Sequence, residues 1–148
     1  AAESGSEPPA IPIMFLKTPN TVVGPNDSVE IPRGSEKTDW EVELGIVIGS
    51  TARYVESHVE ALACVAGFVL SHDVSEREFQ LERGGQWDKG KSCETFNPLG
   101  PALVPAGEVP APAGVALGIE GQPYLRDGDV VTLESDGVGT STQRFVNA

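Results

Sequence analysis

From Trp40 to Ile48 apolar and polar positions alternate: Trp40, Val42, Leu44, Ile46 and Ile48 are separated by Glu41, Glu43, Gly45 and Val47. A period of two predicts a strand with one buried face. Ile11 to Leu16 predicts a shorter apolar strand, followed by turn-rich sequence from Thr18 to Asp27. Ser57 and Glu60 have capping-box spacing ahead of the run Ala61 to Val65, which predicts a helix ended by Gly67. Phe68 to Val74 then returns as a strand. Ser75 and Glu78 repeat the capping spacing and predict a short helix through about Glu82, whereas Gly84, Gly85 and Gly90 make the next stretch a loop. Asp129 to Glu134 and Thr140 to Val146 predict a hairpin around Ser135-Asp136-Gly137. Strand outweighs helix throughout, so the expected fold is mixed and mainly β, in a single domain over residues 1–148.

Composition narrows the class of function. The chain carries 10 basic against 22 acidic residues, a formal charge of −12. Such a surface repels phosphate backbones and anionic lipid heads, so neither nucleic acid nor membrane is an expected partner. An anionic substrate would need a local positive centre, either a lysine or a bound cation. Cys64 and Cys93 are too few for a disulfide framework, and a reducing cytoplasm is the natural location. The longest apolar run, Ala61 to Leu70, is far shorter than a membrane span.

The candidate chemistry begins with Glu41 and Glu43. Two apart on a strand, their Cα atoms lie roughly 7 Å apart and their side chains share a face. Like charges so placed repel unless they meet water or share a cation. On spacing alone a solvated strand face is favoured about two to one over a shared cation. Asp73 ends the predicted strand Phe68 to Val74, and a ligand role and a helix-capping role are equally open there. Arg77 and Gln80, three apart, could hold a substrate carboxylate and carbonyl or be a surface pair. Lys91 lies in the glycine-rich loop, where a lysine near a metal can stabilise an oxyanion, although most loop lysines do not. No histidine is placed to activate Cys93, which reads as a packed thiol. His72 should face away from its neighbour Asp73, and His58 lies in the first turn of a helix. A ligand set of carboxylates alone favours a hard ion, Mg²⁺, Mn²⁺ or Ca²⁺.

Taken in order, PIMFLKTPNTVVGPND (12–27), DWEVELGIVIG (39–49), AGFVLSHDVSEREFQ (66–80) and GKSCETFNPLGP (90–101) resemble the fumarylacetoacetate hydrolase family, particularly its acylpyruvate-hydrolase-like branch. The resemblance runs from Ala1 to about Val109 and resumes at Pro112. It implies a β-roll or sandwich with short helices, and it assigns Glu41, Glu43 and Asp73 as metal ligands. Arg77 and Gln80 match substrate-binding positions, and Lys91 matches the catalytic lysine. Glu3 matches the glutamate of a catalytic histidine–glutamate pair on a lid, whose histidine would fall just before Ala1. A long segment of the family pattern, including a Thr-Gly-Thr-Pro turn, is absent at Pro110-Ala111-Pro112. Sequence missing before Ala1 and at this junction is therefore expected, with a jump in the backbone between Val109 and Ala113.

The implied function is divalent-metal-dependent hydrolysis of a C–C bond in a small anionic 2,4-diketo acid, by a homodimer. The same metal-enolate chemistry would serve an isomerase of hydroxymuconate-type diacids or a 2-keto acid decarboxylase. An inactive ligand-binding domain is the alternative of another class.

Overall fold

Alternation does build the central strand, but the strand begins later than the apolar pattern and its covered face ends at Leu44, since Ile46 and Ile48 are exposed. In the computed structural model, which describes residues 10–108 and 124–148, β1 (Val22–Val23) and β2 (Val29–Ile31) come first. β3 (Thr38–Asp39) stops before Trp40, and β4 runs Val42–Ile48, leaving Trp40 and Glu41 in the connection between them. Helix α1 (His58–Ala63) leads into β5 (Val65–His72) and β6 (Ser75–Glu76), then a π-helical turn (Glu78–Glu82) and α2 (Asp88–Lys91). β7 (Asn97–Pro98) and β8 (Val104–Pro105) follow, with β9 (Val130–Ser135) and β10 (Gly139–Asn147) as the C-terminal hairpin. The fold is mainly β with short helices. Glu3 and the Pro110-Ala111-Pro112 junction, with the break expected there, lie outside the described residues.

Two three-stranded sheets form the body. One has the order β4-β5-β8, all antiparallel, and the other β2-β10-β9, in which β2 and β10 run parallel. Val42, Leu44 and Leu70 on the first sheet pack with Leu133 and Val138 from the hairpin. Val29, Ile31, Val74, Phe96, Leu125 and Phe145 form a second cluster, and Trp40 and Val131 touch both. Full burial of side chains such as Phe145 or Leu70 contributes roughly 1.5–3 kcal/mol each before packing is counted. Glu43, Gly45 and Val47 alternate with these apolar positions along β4, so Glu43 faces away from this core.

Several local expectations are corrected. Ile11 to Leu16 pairs with no strand among the described residues, and Ile11, Ile13, Met14 and Leu16 are exposed. The backbone of Leu16 bonds side chains instead, its N–H donating to Asp88 Oδ1 and its carbonyl accepting from Ser92 Oγ. The predicted cap at Ser57 is real, since its Oγ accepts from Glu60 N. Gly67 is no helix stop, however. It lies inside β5, where a Cβ would collide with the backbone of Val104 on β8, so the residue is set by strand packing. Ser75 caps no helix either, because its hydroxyl donates to the carbonyl of Asp73 and the residue enters β6.

The stretch expected as a loop contains α2, which packs on the π-helical turn. An added Cβ at Gly90 would lie against the Glu76 carbonyl and 2.7 Å from Gln80 N. Gly90→Ala should therefore lower stability by roughly 1–3 kcal/mol, an overpacking cost that exceeds the ~1 kcal/mol gained in helix propensity. Urea denaturation measures this, and an unchanged or raised midpoint would show that α2 is not clamped here.

Candidate metal centre

The ends of the strands bring the three candidate carboxylates together. Asp73 follows β5 directly, and its N–H donates to the carbonyl of Glu41 at 3.0 Å. That bond ties the β3–β4 connection to the end of β5, while Glu43 enters from β4. One carboxylate oxygen from each of Glu41, Glu43 and Asp73 lies within 4.8 Å of the others. Asp73 is buried, Glu41 half-buried and Glu43 exposed, so the cluster opens to solvent on the Glu43 side. Partial burial, then the carboxylates of Asp73 and Glu41, raise the Glu43 pKa above its ordinary value.

Lysines line the closed side. Lys91, 2% exposed, donates from Nζ to Asp73 Oδ2 at 2.6 Å and to Glu41 Oε2 at 3.0 Å. Its ammonium also lies 4.8 Å from the centroid of the Phe15 ring, a cation–π contact. Lys89 is exposed and donates to the Arg83 carbonyl instead. Lys17, which sequence reading missed, places Nζ 2.7 Å from Asp73 Oδ1. Burial lowers the Lys17 pKa, and Asp73 offsets only part of that effect. For Asp73, burial pushes upward, but the two ammonium groups outweigh it and hold the carboxyl below its usual range.

Asp73 Oδ1 provides the test of whether a cation fits. Among the described residues it is buried without a hydrogen-bond partner of favourable geometry, although the Lys17 ammonium lies 2.7 Å away. Lys17 donates to the carbonyls of Val74, Lys91 and Phe96 at 3.0, 2.7 and 2.8 Å, which accounts for all three of its protons. The Asp73 oxygen thus gains charge compensation and keeps its lone pairs. Four carboxylates (Asp39, Glu41, Glu43, Asp73) meet three side-chain cations (Lys17, Arg77, Lys91), so a formal negative charge remains. An all-oxygen donor set with an unsatisfied lone pair and surplus negative charge suits a hard divalent ion.

Arg77 and Gln80 meet at the edge of this cluster. The Arg77 guanidinium donates through Nε and Nη2 to Asp39 Oδ2, through Nη2 to Glu41 Oε1, and through Nη1 to Gln80 Oε1. Asp39 is the second residue that sequence reading missed. Its only signal was a third acidic residue two positions before Glu41. Gln80 is buried, and its Nε2 donates to no partner among the described residues. His72 takes no part: it faces the core, with Nδ1 2.8 Å from Gln143 Oε1 and its ring edge-on to Phe145. Burial lowers its pKa to about 4, so it is neutral. His58 is exposed at the start of α1. Among the described residues, no helix is long and apolar enough to cross a membrane.

Comparison with known proteins identifies the fold and the family. The family model described as the C-terminal part of fumarylacetoacetate (FAA) hydrolase matches residues 1–122. A presumptive hydrolase of Burkholderia ambifaria is 55% identical over 120 residues, which cover 81% of this chain and 42% of that protein. The chain thus spans about two fifths of the length of the curated relatives it matches. Fumarylacetoacetate hydrolase from the psychrophile Exiguobacterium antarcticum superposes with a TM-score of 0.81 at 26% identity, covering 92% of this chain and 66% of the other. For 5-carboxymethyl-2-hydroxymuconate delta-isomerase from Mycobacterium smegmatis the TM-score is 0.80 at 26% identity, covering 95% and 71%. With the family model spanning most of the chain and the mainly β fold common to these structures, the chain belongs to the fumarylacetoacetate hydrolase family.

Proposed function

We propose that this chain carries the metal-binding core of a divalent-metal-dependent hydrolase that cleaves a C–C bond in a small 2,4-diketo acid of the acylpyruvate or fumarylpyruvate type. The observation that carries the reading is the convergence of Glu41, Glu43 and Asp73, with Asp73 Oδ1 buried beside the ammonium of Lys17 and Oδ2 bonded by Lys91. Glu41, Glu43 and Asp73 would hold Mg²⁺ or Mn²⁺, with Ca²⁺ also compatible, and the bound ion would supply Lewis-acid polarisation of the keto-acid oxygens.

The protein groups supply the rest. Hydrolysis adds one water across the C–C bond and releases two acids, so negative charge must be stabilised as the bond breaks. Lys91, fixed in a buried position, stabilises that charge as a preorganised cation. Gln80 can donate its side-chain N–H to a substrate oxygen, and Arg77 keeps one Nη1 proton for the same purpose. Glu3, outside the described residues, would take part in activating the water. A homodimer is part of this reading.

A second reading is isomerisation or decarboxylation of a related 2-keto diacid. It is favoured by the similarity to the Mycobacterium smegmatis delta-isomerase, because the same groups would stabilise an enolate without bond hydrolysis. Product analysis separates them: an acylpyruvate hydrolase releases two acids, an isomerase releases none, and a decarboxylase releases carbon dioxide.

Chelation should abolish turnover and Mg²⁺ or Mn²⁺ should restore it. Glu43→Ala should remove the metal-dependent rate with an unchanged far-UV circular dichroism spectrum, since the carboxylate it deletes is exposed and repelled by its neighbours. Lys91→Ala should lower kcat by about 100-fold or more while weakening metal binding less. Full turnover in either variant would remove that residue from the mechanism.

Cys93 should behave as a packed thiol. Its Sγ donates to the Lys89 carbonyl, and burial, followed by the Glu76 carboxylate, pushes its pKa up to about 11. At pH 8 iodoacetamide should modify it about 100-fold more slowly than a free thiol, with the rate climbing towards pH 11. Fast alkylation at pH 8 would reopen a nucleophilic role.

A further inference from the structure

Arg77 is more constrained than a substrate-binding arginine needs to be. Nε and Nη2 both donate to Asp39 Oδ2, at 2.9 and 2.6 Å, and Nη2 reaches Glu41 Oε1 at 2.5 Å. With Nη1 on Gln80 Oε1 at 3.1 Å, one guanidinium proton is left. The two-pronged recognition that makes arginine suited to a free carboxylate is already used within the protein. Asp39 is itself fixed: it is 6% exposed, its Oδ1 accepts from Trp40 N at 2.9 Å, and it pairs with Ser75 across β3 and β6. The backbone N–H of Arg77 donates to the Lys37 carbonyl at 3.0 Å, so both ends of the contact rest on the same pair of strands.

Glu41, by contrast, lies in the connection between β3 and β4, where the bond from Asp73 N to its carbonyl holds its backbone but leaves its carboxylate to be oriented by other side chains. Its two oxygens are divided, with Oε1 on Arg77 and Oε2 on Lys91. From this we infer that Asp39 and Arg77 form a clamp that positions the Glu41 carboxylate for a divalent cation, with Asp39 acting through Arg77. Arg77 is thereby a positioning residue in addition to any single contact it makes with substrate, and Asp39 joins the functional set. The inference rests on the metal-site reading above. It adds a distinct claim about sign: an arginine beside a metal ligand strengthens cation binding.

Electrostatics alone gives the opposite sign. Removing a positive charge near a cation site should tighten binding through lost repulsion. Losing an orienting partner of a metal ligand instead weakens binding by about 10–100-fold. The experiment is Mn²⁺ titration of the full chain, read by electron paramagnetic resonance or calorimetry, for the unsubstituted protein, Arg77→Met, Asp39→Asn and the double variant. The clamp predicts that Arg77→Met binds Mn²⁺ at least about 10-fold more weakly and that the double variant is no weaker than Arg77→Met. Asp39→Asn alone would weaken binding whether Asp39 acted through Arg77 or attracted the ion directly, so the double variant decides its role. A further loss on adding Asp39→Asn to Arg77→Met would show direct attraction and overturn the clamp. Unchanged or tighter Mn²⁺ binding by Arg77→Met would overturn it as well. If Arg77→Met does not fold, Arg77→Lys keeps the charge without the fork, and wild-type affinity in that variant would overturn the proposal. Absence of Mn²⁺ binding in the unsubstituted protein would sink the metal reading itself, and this inference with it.

Discussion

A buried ammonium has three protons to satisfy, and the fold meets that demand for Lys17 with three backbone carbonyls. Those carbonyls belong to Val74 just beyond Asp73, to Lys91 at the end of α2, and to Phe96 just before β7. One side chain thus joins the exit of the central strand, the end of the short helix and the turn that follows it. Two of the three segments carry groups of the candidate site. Lys17 thereby fixes the backbone next to Asp73 and at Lys91, while its protons point mainly at the carbonyls and its charge compensates Asp73 Oδ1. A carboxylate that is neutralised yet free to donate lone pairs is what a hard cation requires.

The cost of this arrangement is considerable. Taking charges out of water opposes folding, and a buried ion pair is weak evidence for stability because well-packed apolar groups often do as well. The cluster is explained better by chemistry than by stability. Its neighbourhood is built to tolerate the cost. The Glu76 carboxylate is buried and accepts backbone N–H groups from Lys37 and Phe79, at 2.8 and 2.6 Å, which holds β3 and the π-helical turn together. Arg77 lies between these two attachments, and Gly90 lets α2 approach closely enough to bring Lys91 beneath the carboxylates. π-Helical turns recur where a functional residue must be presented out of regular helical register.

The parts of this molecule that were legible in sequence are those decided by nearest neighbours. Alternation from Val42 to Ile48 and the serine cap of α1 required no knowledge of distant partners. Gly67, Ser75 and the apolar run at Ile11 misled because tertiary contacts decided them: the β8 backbone, the Asp73 carbonyl and the side chains of Asp88 and Ser92. At the site, spacing alone left Glu41 and Glu43 closer to a solvated strand face than to a ligand pair. Only the family resemblance favoured a shared site, and the bond from Asp73 N to the Glu41 carbonyl shows how the fold brings the segments together. Lys17 and Asp39 stayed hidden for a related reason. A lysine after an apolar run, or an aspartate before a tryptophan, is common, and neither reveals the distant groups it will meet.

His72 shows how firmly strand geometry separates neighbouring residues. It precedes Asp73 by one position and has the side chain most often used in acid–base chemistry, yet it points to the opposite face. There Gln143 donates through Nε2 to Ser141 Oγ and to the Pro25 carbonyl, which leaves its Oε1 to accept the His72 Nδ1 proton. Nε2 of His72 is buried without a partner among the described residues, consistent with a ring kept neutral by burial. The contact joins β10 to the strand end that presents Asp73 without adding charge beside it. The electrostatics of the carboxylate cluster are therefore set by its lysines, its arginine and its own acids, while the nearest histidine serves the core.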